Sequence, residues 1–353
     1  LGKYYKELGF SGTQIGILFS ASTFITMLVQ PLWGIICKKK GNCKSSFIVI
    51  HIAIIFIALF LPFIKNYLLL LIVMSIHFIF QCGLFPLLDT MIYKDIYDFG
   101  KIRLWGSIGF ALMVLFSGKI AEIIGISNVF FIYSCLMIIS LFVGTKIKEV
   151  SFTKISTDTK KSGKLFTKDY ITFLIIGFFT MGAFSTGSQY FSILFSDIGG
   201  SMTAFGITYF FIAISEVPFL KVSQKIVKKY GAEKLIFISG LFVLGRFGLN
   251  GLAKDYRIIL YTSIFMGSFI GLSLPAAAVF FKERVSVENR AMAITIYSAI
   301  SSGLGPMIFQ FLGGIVYEHS NISVLYLILC ILIIIGICFS WKLIKNKQVS
   351  KIY

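Results

Sequence analysis

The sequence predicts an all-α membrane protein built from two similar groups of helices, and three observations support this fold class. Of the 353 residues, 57% are hydrophobic and 14% are charged, whereas soluble domains carry about 25% charged residues. Apolar segments of roughly membrane-spanning length recur along the chain, with polar turns between them. In addition, part of the sequence recurs about 190 residues later. A lipid bilayer is therefore the expected solvent for most of the chain.

Eleven apolar segments are long enough to be transmembrane helices. They are Thr13–Cys37, Ser46–Ile64, Tyr67–Tyr93, Ile102–Ile124, Asn128–Thr145, Tyr170–Phe195, Thr203–Leu220, Leu235–Leu252, Ile258–Phe281, Ala291–Val316 and Ile322–Leu343. The longest polar segment, residues 146–168, is rich in Lys, Ser and Thr and has no apolar periodicity, which indicates a flexible linker. It divides the chain into an N-terminal half, residues 1–145, and a C-terminal half, residues 169–353.

Basic residues concentrate in alternate turns, which predicts the orientation of the chain. The net charge is +18, and much of it lies in clusters such as Lys38–Lys40 and residues 146–168. The other set of turns holds Lys3, Lys6, Lys65, Lys119, Lys254 and Arg257. By the positive-inside rule, the lysine-rich turns face the cytoplasm of a bacterial-type inner (cell) membrane. No basic helix or aromatic-rich sheet pattern accompanies the charge, so we expect no nucleic-acid partner.

A parallel repeat relates the two halves. Residues 11–16 and 201–206 both have Ser, Thr and Gly at their first, third and sixth positions. Two repeats that cross the membrane in the same direction are a transporter architecture. The span Tyr170–Phe195 has no counterpart, because a shift of 190 residues would place it before Leu1. We therefore expect a missing first span upstream of Leu1 and an arrangement of six plus six, in which the visible spans are numbers two to twelve.

Two segments resemble a known family. Residues 34–44, GIICKKKGNCK, resemble the loop motif between spans two and three of the major facilitator superfamily. The gating-loop positions of that motif correspond to Gly34, Lys38, Lys39 and Gly41. Lys38 stands where the family has an acidic residue to which a gate-locking ion pair is ascribed. Residues 99–110, FGKIRLWGSIGF, resemble the opening of span five in the sugar–proton, nucleoside–proton and phenylpropionate permease branches.

The resemblance covers essentially the whole chain and implies the major facilitator fold with transport by alternating access. Asp89 in the segment PLLD, Glu216 in span eight and Arg246 in span nine point to the same branches, of which the phenylpropionate permease-like branch fits best. Lactose permease is a poor match. The ring-stacking Trp of its span five corresponds to Phe110 here, and the His and Glu of its span ten have no counterpart.

Glu216 and Arg246 lie deep inside predicted spans, where a charge is costly and needs a partner or water. At roughly 1.5 Å per residue, Glu216 lies about 20 Å into span eight and Arg246 about 17 Å into span nine. Both therefore lie near the midplane, where transporters bind their substrates. Two interpretations stay open: a site for substrate and proton, or a structural ion pair between two helices.

Asp89 and Arg103 flank the turn between spans four and five, each seven residues from residue 96. They form a pair near the cytoplasmic end in one interpretation, and in the family the Arg of this segment contacts substrate or a neighbouring acid. In the other interpretation, Arg103 extends to the membrane interface. Further polar side chains either line a cavity or join helices by hydrogen bonds. They are His77, Gln81, Gln30, Gln189 and Tyr190.

The leading hypothesis is a proton-coupled symporter for a small organic solute, such as an aromatic carboxylate, a nucleoside or a sugar. Glu216 would bind the proton, and Arg246 would hold it poised or meet an anionic group. The expected partners are the substrate, protons and the lipid bilayer, and we expect a monomer. An exporter of drugs or metabolites and a sensor with the same fold are alternatives.

No cofactor or metal site is predicted. The six cysteines form no CxxC pair and the three histidines are far apart in the sequence. A membrane-embedded enzyme, such as a transferase, is disfavoured because its clustered carboxylates or metal ligands are not found.

Overall fold

The computed structural model describes residues 1–40, 43–92, 99–146 and 165–349. Within these residues the secondary structure is helical and contains no β-strand. The helices are α1 (Gly2–Glu7), α2 (Gly12–Lys40), α3 (Lys44–Phe60), α4 (Tyr67–Gln81), α5 (Leu84–Ile92), α6 (Phe99–Ile124), α7 (Val129–Thr145), α8 (Lys168–Asp197), α9 (Met202–Tyr230), α10 (Ala232–Leu252), α11 (Tyr256–Tyr261), α12 (Ser263–Arg284), α13 (Val287–Ser298), α14 (Gly305–His319) and α15 (Ile322–Val349). Two 3₁₀ turns, Leu61–Phe63 and Ile126–Asn128, follow α3 and precede α7.

Ten helical segments of the described chain are long and apolar enough to cross a membrane. They coincide in order with ten of the eleven predicted spans. The remaining prediction, Ile102–Ile124, coincides with α6, which is helical over 26 residues. The all-helical membrane architecture is thereby confirmed. The count of eleven spans and the span expected upstream of Leu1 stay predictions.

The predicted span Tyr67–Tyr93 is interrupted, since α4 ends and α5 begins on either side of residues 82–83. Gly83 stands at this break. A Cβ there would lie 2.7 Å from the Trp33 ring and 2.8 Å from the side chain of Ile50. A side chain at position 83 would collide with these neighbours, so glycine is favoured here. At this break α5 packs against α2 and α3.

The sequence repeat is also present in the backbone of the turns that enter α2 and α9. Gly9 and Gly199 are 190 positions apart, and both have a positive φ, 79° and 81°, which glycine adopts without a Cβ clash. Two residues later, the hydroxyls of Ser11 and Ser201 each accept a hydrogen bond from the backbone N–H three residues on, at 3.3 and 3.1 Å. The two turns therefore share their φ pattern and their N-cap.

Helix α1 packs against the last turns of α8. The backbone N–H of Lys3 donates to the Ser192 hydroxyl at 3.1 Å, and a Cβ on Gly2 would lie 2.8 Å from the same oxygen. The side chains of Lys6 and Asp197 also form an ion pair. Gly2 and Ser192 are themselves 190 positions apart, so equivalent positions of the repeat meet here.

A salt-bridged cluster joins three helices of the C-terminal half at their lysine-rich ends. Arg284 at the end of α12 donates to Asp169 at 3.0 Å and to Glu233 at 2.9 Å. These carboxylates lie in the first turns of α8 and α10. The Glu233 side chain is only 2% exposed, so its charge depends on nearby partners. The cluster therefore fixes these three helix ends relative to one another.

The span that contains α13 and α14 is interrupted by a π-helical segment, Ala299–Leu304. The N–H of Gly305 donates to the carbonyl of Ile300, five residues earlier. The segment packs closely on α8, because a Cβ on Gly177 would lie 3.1 Å from the Ser301 side chain. Such segments are rare and occur often at functional sites, so this part of the span is a candidate for conformational adjustment.

Candidate functional site

Two helix crossings connect the halves near the end of the bundle that carries the lysine-poor turns, hereafter the lysine-poor end. Helix α2 crosses α14, and α6 crosses α9. At the first crossing, a Cβ on Gly16 would lie 2.8 Å from the Cα of Gly314. At the second, a Cβ on Gly118 would lie 3.1 Å from the Cα of Gly206. The backbones therefore touch at both crossings, and a side chain on any of these glycines would separate the halves.

The same helices have fewer described neighbours nearer the lysine-rich end. Gly34 on α2, and Gly106 and Gly109 on α6, meet no atom of the described residues within 4 Å of an added Cβ. Leu28 and Leu32 on α2 are 52% and 50% exposed. Along α2 and α6, the close approach between the halves is therefore concentrated toward the lysine-poor end.

Each crossing ends in a carboxylate that caps a helix of the other half. Glu318, near the end of α14, accepts from the backbone N–H of Thr13 at 2.7 Å and from the Ser11 hydroxyl at 2.9 Å. Glu122, near the end of α6, accepts from the backbone N–H of Thr203 at 3.0 Å. Thr13 and Thr203 are 190 positions apart, so the two contacts are related by the repeat.

Polar side chains also join the halves beneath the contact of Gly16 with Gly314. Thr23 on α2 donates to Oε1 of Gln310 at 2.7 Å, and Tyr190 on α8 donates to the Gln310 carbonyl at 3.0 Å. Gln310 is fully buried, and its Nε2 has no hydrogen-bond partner among the described residues. The predicted site residue Tyr190 thus holds a backbone carbonyl of α14 within the C-terminal half, and its ring meets that of Phe19 on α2 at 5.1 Å.

Glu216 lies at a close crossing of α9 and α12. A Cβ on Gly267 would lie 2.8 Å from the backbone nitrogen of Glu216, and one on Gly271 would lie 2.8 Å from its carbonyl oxygen. Pro218, two residues further on, interrupts the hydrogen-bond ladder of α9. The Glu216 side chain is partly buried. The residue is therefore shielded in part from its surroundings and lies next to an irregular part of its helix.

The described contacts of Arg246 differ from the predicted ion pair with Glu216. Its Nη1 donates to the Thr262 hydroxyl at 2.5 Å and to the Ile259 carbonyl, and the guanidinium lies 5.6 Å from the centre of the Phe191 ring. The residue is 1% exposed, and its Nε and Nη2 have no partner among the described residues. Equal depth along two helices does not fix which way a side chain points, and Arg246 points into the C-terminal half.

His77 and Gln81 face α7. Tyr133 of α7 donates to Oε1 of Gln81 at 2.6 Å, and the rings of His77 and Tyr133 meet edge to face at 6.1 Å. His77 is 7% exposed, and its Nδ1 has no partner among the described residues. In this conformation both residues therefore join α4 to α7, Gln81 by a hydrogen bond and His77 by ring packing.

The other predicted site residues are described in part. Gln189 is partly buried and its carbonyl faces α1, 3.1 Å from a Cβ on Gly2, while Gln30 and Lys39 are exposed. Four predicted positions lie outside the described residues or have side chains that do. These are Asp89, Arg103, Lys38 and Gly41. The Asp89–Arg103 pair and the gating role of the loop stay predictions.

Sequence reasoning did not identify the two capping carboxylates. Each ends a span, four residues after a glycine of the crossing: Glu122 follows Gly118, and Glu318 follows Gly314. A signal was available, because both halves carry the pattern Gly-x-x-x-Glu just before a turn. Each copy faces a Ser-x-Thr segment of the other half.

Comparison with known proteins identifies the family. Residues 1–328 match the model of the MFS_1 like family. The chain belongs to the major facilitator superfamily. The uncharacterized transporter YwbF from Bacillus subtilis (strain 168) is 29% identical over 349 residues, which cover 97% of this chain and 88% of the relative. Maltose permease from Geobacillus stearothermophilus is 25% identical over 354 residues, which cover 98% of this chain and 89% of the relative.

A solved structure shows the same major facilitator fold. The crystal structure of the nucleoside transporter NupG superposes with a TM-score of 0.81 at 18% identity, and the match covers 96% of this chain and 92% of that one. This facilitator-family chain is therefore a multi-pass integral membrane protein, in bacteria one of the cell membrane. It is a transporter and not an enzyme.

Proposed function

We propose that the chain is a proton-coupled symporter that takes up a small organic solute by alternating access between its halves. The observation that carries this proposal is the distribution of the inter-half contacts. The close backbone contacts concentrate at two glycine crossings near the lysine-poor end, whereas toward the lysine-rich end Gly34, Gly106 and Gly109 meet no described atom within 4 Å of an added Cβ. Two repeats that touch along such narrow crossings are suited to rocking about a central site.

The orientation follows from charge. The lysine-rich turns face the cytoplasm under the positive-inside rule. In this proposal the lysine-poor end faces outside, and the glycine crossings support an arrangement in which the external side is closed.

We favour a sugar among the three substrate classes. The similarity to maltose permease extends over 98% of the chain, which supports an uncharged, hydroxyl-rich substrate. A carboxylate substrate needs a cation, and the buried Arg246 directs its contacts to Thr262 and Ile259 within one half. In this state Nη1 of Arg246 holds helices of one half together, while its Nε and Nη2 have no partner among the described residues.

Glu216 is our candidate for the proton carrier. The residue is partly buried, and Pro218 interrupts its helix, α9, two residues further on. A movement of α9 against α12 would therefore change the solvation of the Glu216 carboxylate. Desolvation disfavours the ionised form, and water or a cation favours it. A proton and a substrate are coupled only if both bind one state of the transporter better than the other.

Uptake assays in cells that express the chain test this proposal. We expect maltose-type sugars, in preference to nucleosides or aromatic acids, to accumulate against a gradient with proton entry. Glu216→Gln should abolish accumulation of substrate against its gradient. Exchange of substrate down its gradient should be retained in part. Glu288→Gln is the matched control, because Glu288 is an exposed acid in the first turn of α13. It should behave like the unmodified chain.

Two results would contradict the proposal. If Glu216→Gln still concentrates substrate with normal proton entry, Glu216 is not the coupling site, and Asp89 with Arg103 becomes the better candidate. If preloaded cells lose substrate against a gradient, the chain is an exporter, which is the alternative function of the same fold.

A further inference from the structure

We propose that Glu122 and Glu318 are a matched pair of latches that hold the lysine-poor end of the transporter closed. Each carboxylate belongs to one half and binds the start of a helix in the other half. Glu318 on α14 binds the start of α2, and Glu122 on α6 binds the start of α9. The proposal rests on the alternating-access cycle proposed above and adds residues that control one step of it.

The chemistry of a helix start favours a carboxylate. The first N–H groups of a helix have no partner within the helix, and they carry a partial positive charge. Glu318 accepts the N–H of Thr13 at 2.7 Å, and Glu122 accepts that of Thr203 at 3.0 Å. These charge-assisted bonds form only while the two halves are in contact. The carboxylates therefore stabilise the closed arrangement over the open one.

Ser11 strengthens the latch formed by Glu318. Its hydroxyl donates to that carboxylate at 2.9 Å and also accepts from the backbone N–H of Gln14 at 3.3 Å. One side chain thus caps its own helix and binds the other half. The equivalent Ser201 caps α9 in the same way, through the backbone N–H of Ala204 at 3.1 Å.

The position of the latches makes them reversible. The bonds of Glu318 and Glu122 to the helix starts lie at exposed sites, where water can replace each partner when the halves separate. A bond of this kind contributes only modestly to the stability of the closed arrangement, so neither latch alone prevents opening. Because a rocking movement separates α2 from α14 and α6 from α9 together, the two contributions act on one equilibrium.

A cysteine beneath the crossing reports opening of this end. Thr23→Cys, in a chain whose six native cysteines are replaced, places a thiol under the contact of Gly16 with Gly314. A membrane-impermeant maleimide added outside intact cells reaches it only when the lysine-poor end opens. We expect Glu122→Gln and Glu318→Gln each to raise the labelling rate about fivefold, and the double variant about 25-fold.

The matched control is Asp255→Asn. Asp255 also accepts a backbone N–H at a helix start, from Arg257 at 2.8 Å, but both residues lie in the C-terminal half. It carries the same charge at the same end and spans no crossing. We expect its labelling rate to equal that of the unmodified reporter chain.

A second reporter separates a shifted equilibrium from a loosened protein. Gly34→Cys lies on α2 toward the lysine-rich end, where no atom of the described residues comes within 4 Å of an added Cβ. Its labelling in inverted vesicles should fall in the same Glu→Gln variants, since opening one end closes the other. A rise at both reporters would mean general destabilisation and would overturn the proposal.

Two further outcomes are decisive. Unchanged labelling of Thr23→Cys in the double variant, or an equal rise in Asp255→Asn, would overturn the latches. A Thr23→Cys increase seen only in inverted vesicles would support the latches and overturn the proposed orientation. None of these readouts depends on the substrate, so failure of the sugar assignment is distinguishable from failure of the latches.

Discussion

Gly314 and Gly16 approach so closely that a Cβ on Gly314 would lie 2.7 Å from the Cα of Gly16. The adjacent Gly313 faces the other way, and a Cβ there would lie 3.1 Å from the Leu325 side chain. Backbone atoms cannot move aside as the end of a side chain can. The two neighbouring glycines are therefore a natural test of the crossing.

Gly314→Ala is expected to push α2 and α14 apart and to favour opening of the lysine-poor end. Labelling of Thr23→Cys from outside should increase, and the rate of uptake should fall because the cycle no longer closes efficiently at that end. Gly313→Ala should change both quantities little. Identical behaviour of the two variants would show that the glycine contact does not limit closure.

Arg246→Lys should destabilise the C-terminal half. The substitution keeps the charge but loses the planar fork that reaches both Ile259 and Thr262. We expect a loss of about 1.5–3 kcal/mol, the range for hydrogen bonds to charged groups, seen as a lower thermal unfolding temperature in detergent. Arg257→Lys is the control, because Arg257 is an exposed residue of the neighbouring helix α11. This variant should unfold at the same temperature as the unmodified chain.

Arg284→Gln should destabilise more strongly, because it leaves the buried Glu233 carboxylate without its guanidinium partner. Removing one member of a buried pair costs about 3 kcal/mol or more. Arg290→Gln is the control, since the described hydrogen bonds of Arg290 to Phe281 and Lys282 go to backbone carbonyls. Comparable unfolding temperatures for the two variants would exclude a stabilising role for the cluster.

The orientation is tested by single cysteines at exposed lysines of the two ends. Lys254→Cys should react with an impermeant maleimide in intact cells, and Lys39→Cys should react only in inverted vesicles. Both lysines are exposed, so burial does not limit either reaction. The reverse pattern would overturn the orientation inferred from charge.

The sequence predicts the helices well because the length of an apolar run is set by the bilayer. It does not predict the break at Gly83, which depends on the distant Trp33 ring. The direction of Arg246 is also beyond the sequence. Depth along a span follows from counting residues, but the side that faces a partner depends on how helices are rotated and packed.

The latches show a different limit. Glu122 and Glu318 lie at span ends, where carboxylates are common on the polar surface. Their sequence positions therefore do not indicate a special role. Their role appears only when the halves are assembled and each helix start is seen opposite the other half. The repeat of residues 11–16 in residues 201–206 is visible in the sequence, and it contains the hydrogen-bond donors of both contacts.

The π-helical segment Ala299–Leu304 adds one residue to a turn. The side chains of α13 are therefore turned by about 100° from the directions that a continuous helix through α14 would give them. A helical wheel drawn from Gly314 assigns the wrong face to every residue before Ala299. Loss of a single residue within this segment would change the direction of every side chain in the arm of the span that leads to the lysine-rich end, while leaving its composition nearly unchanged.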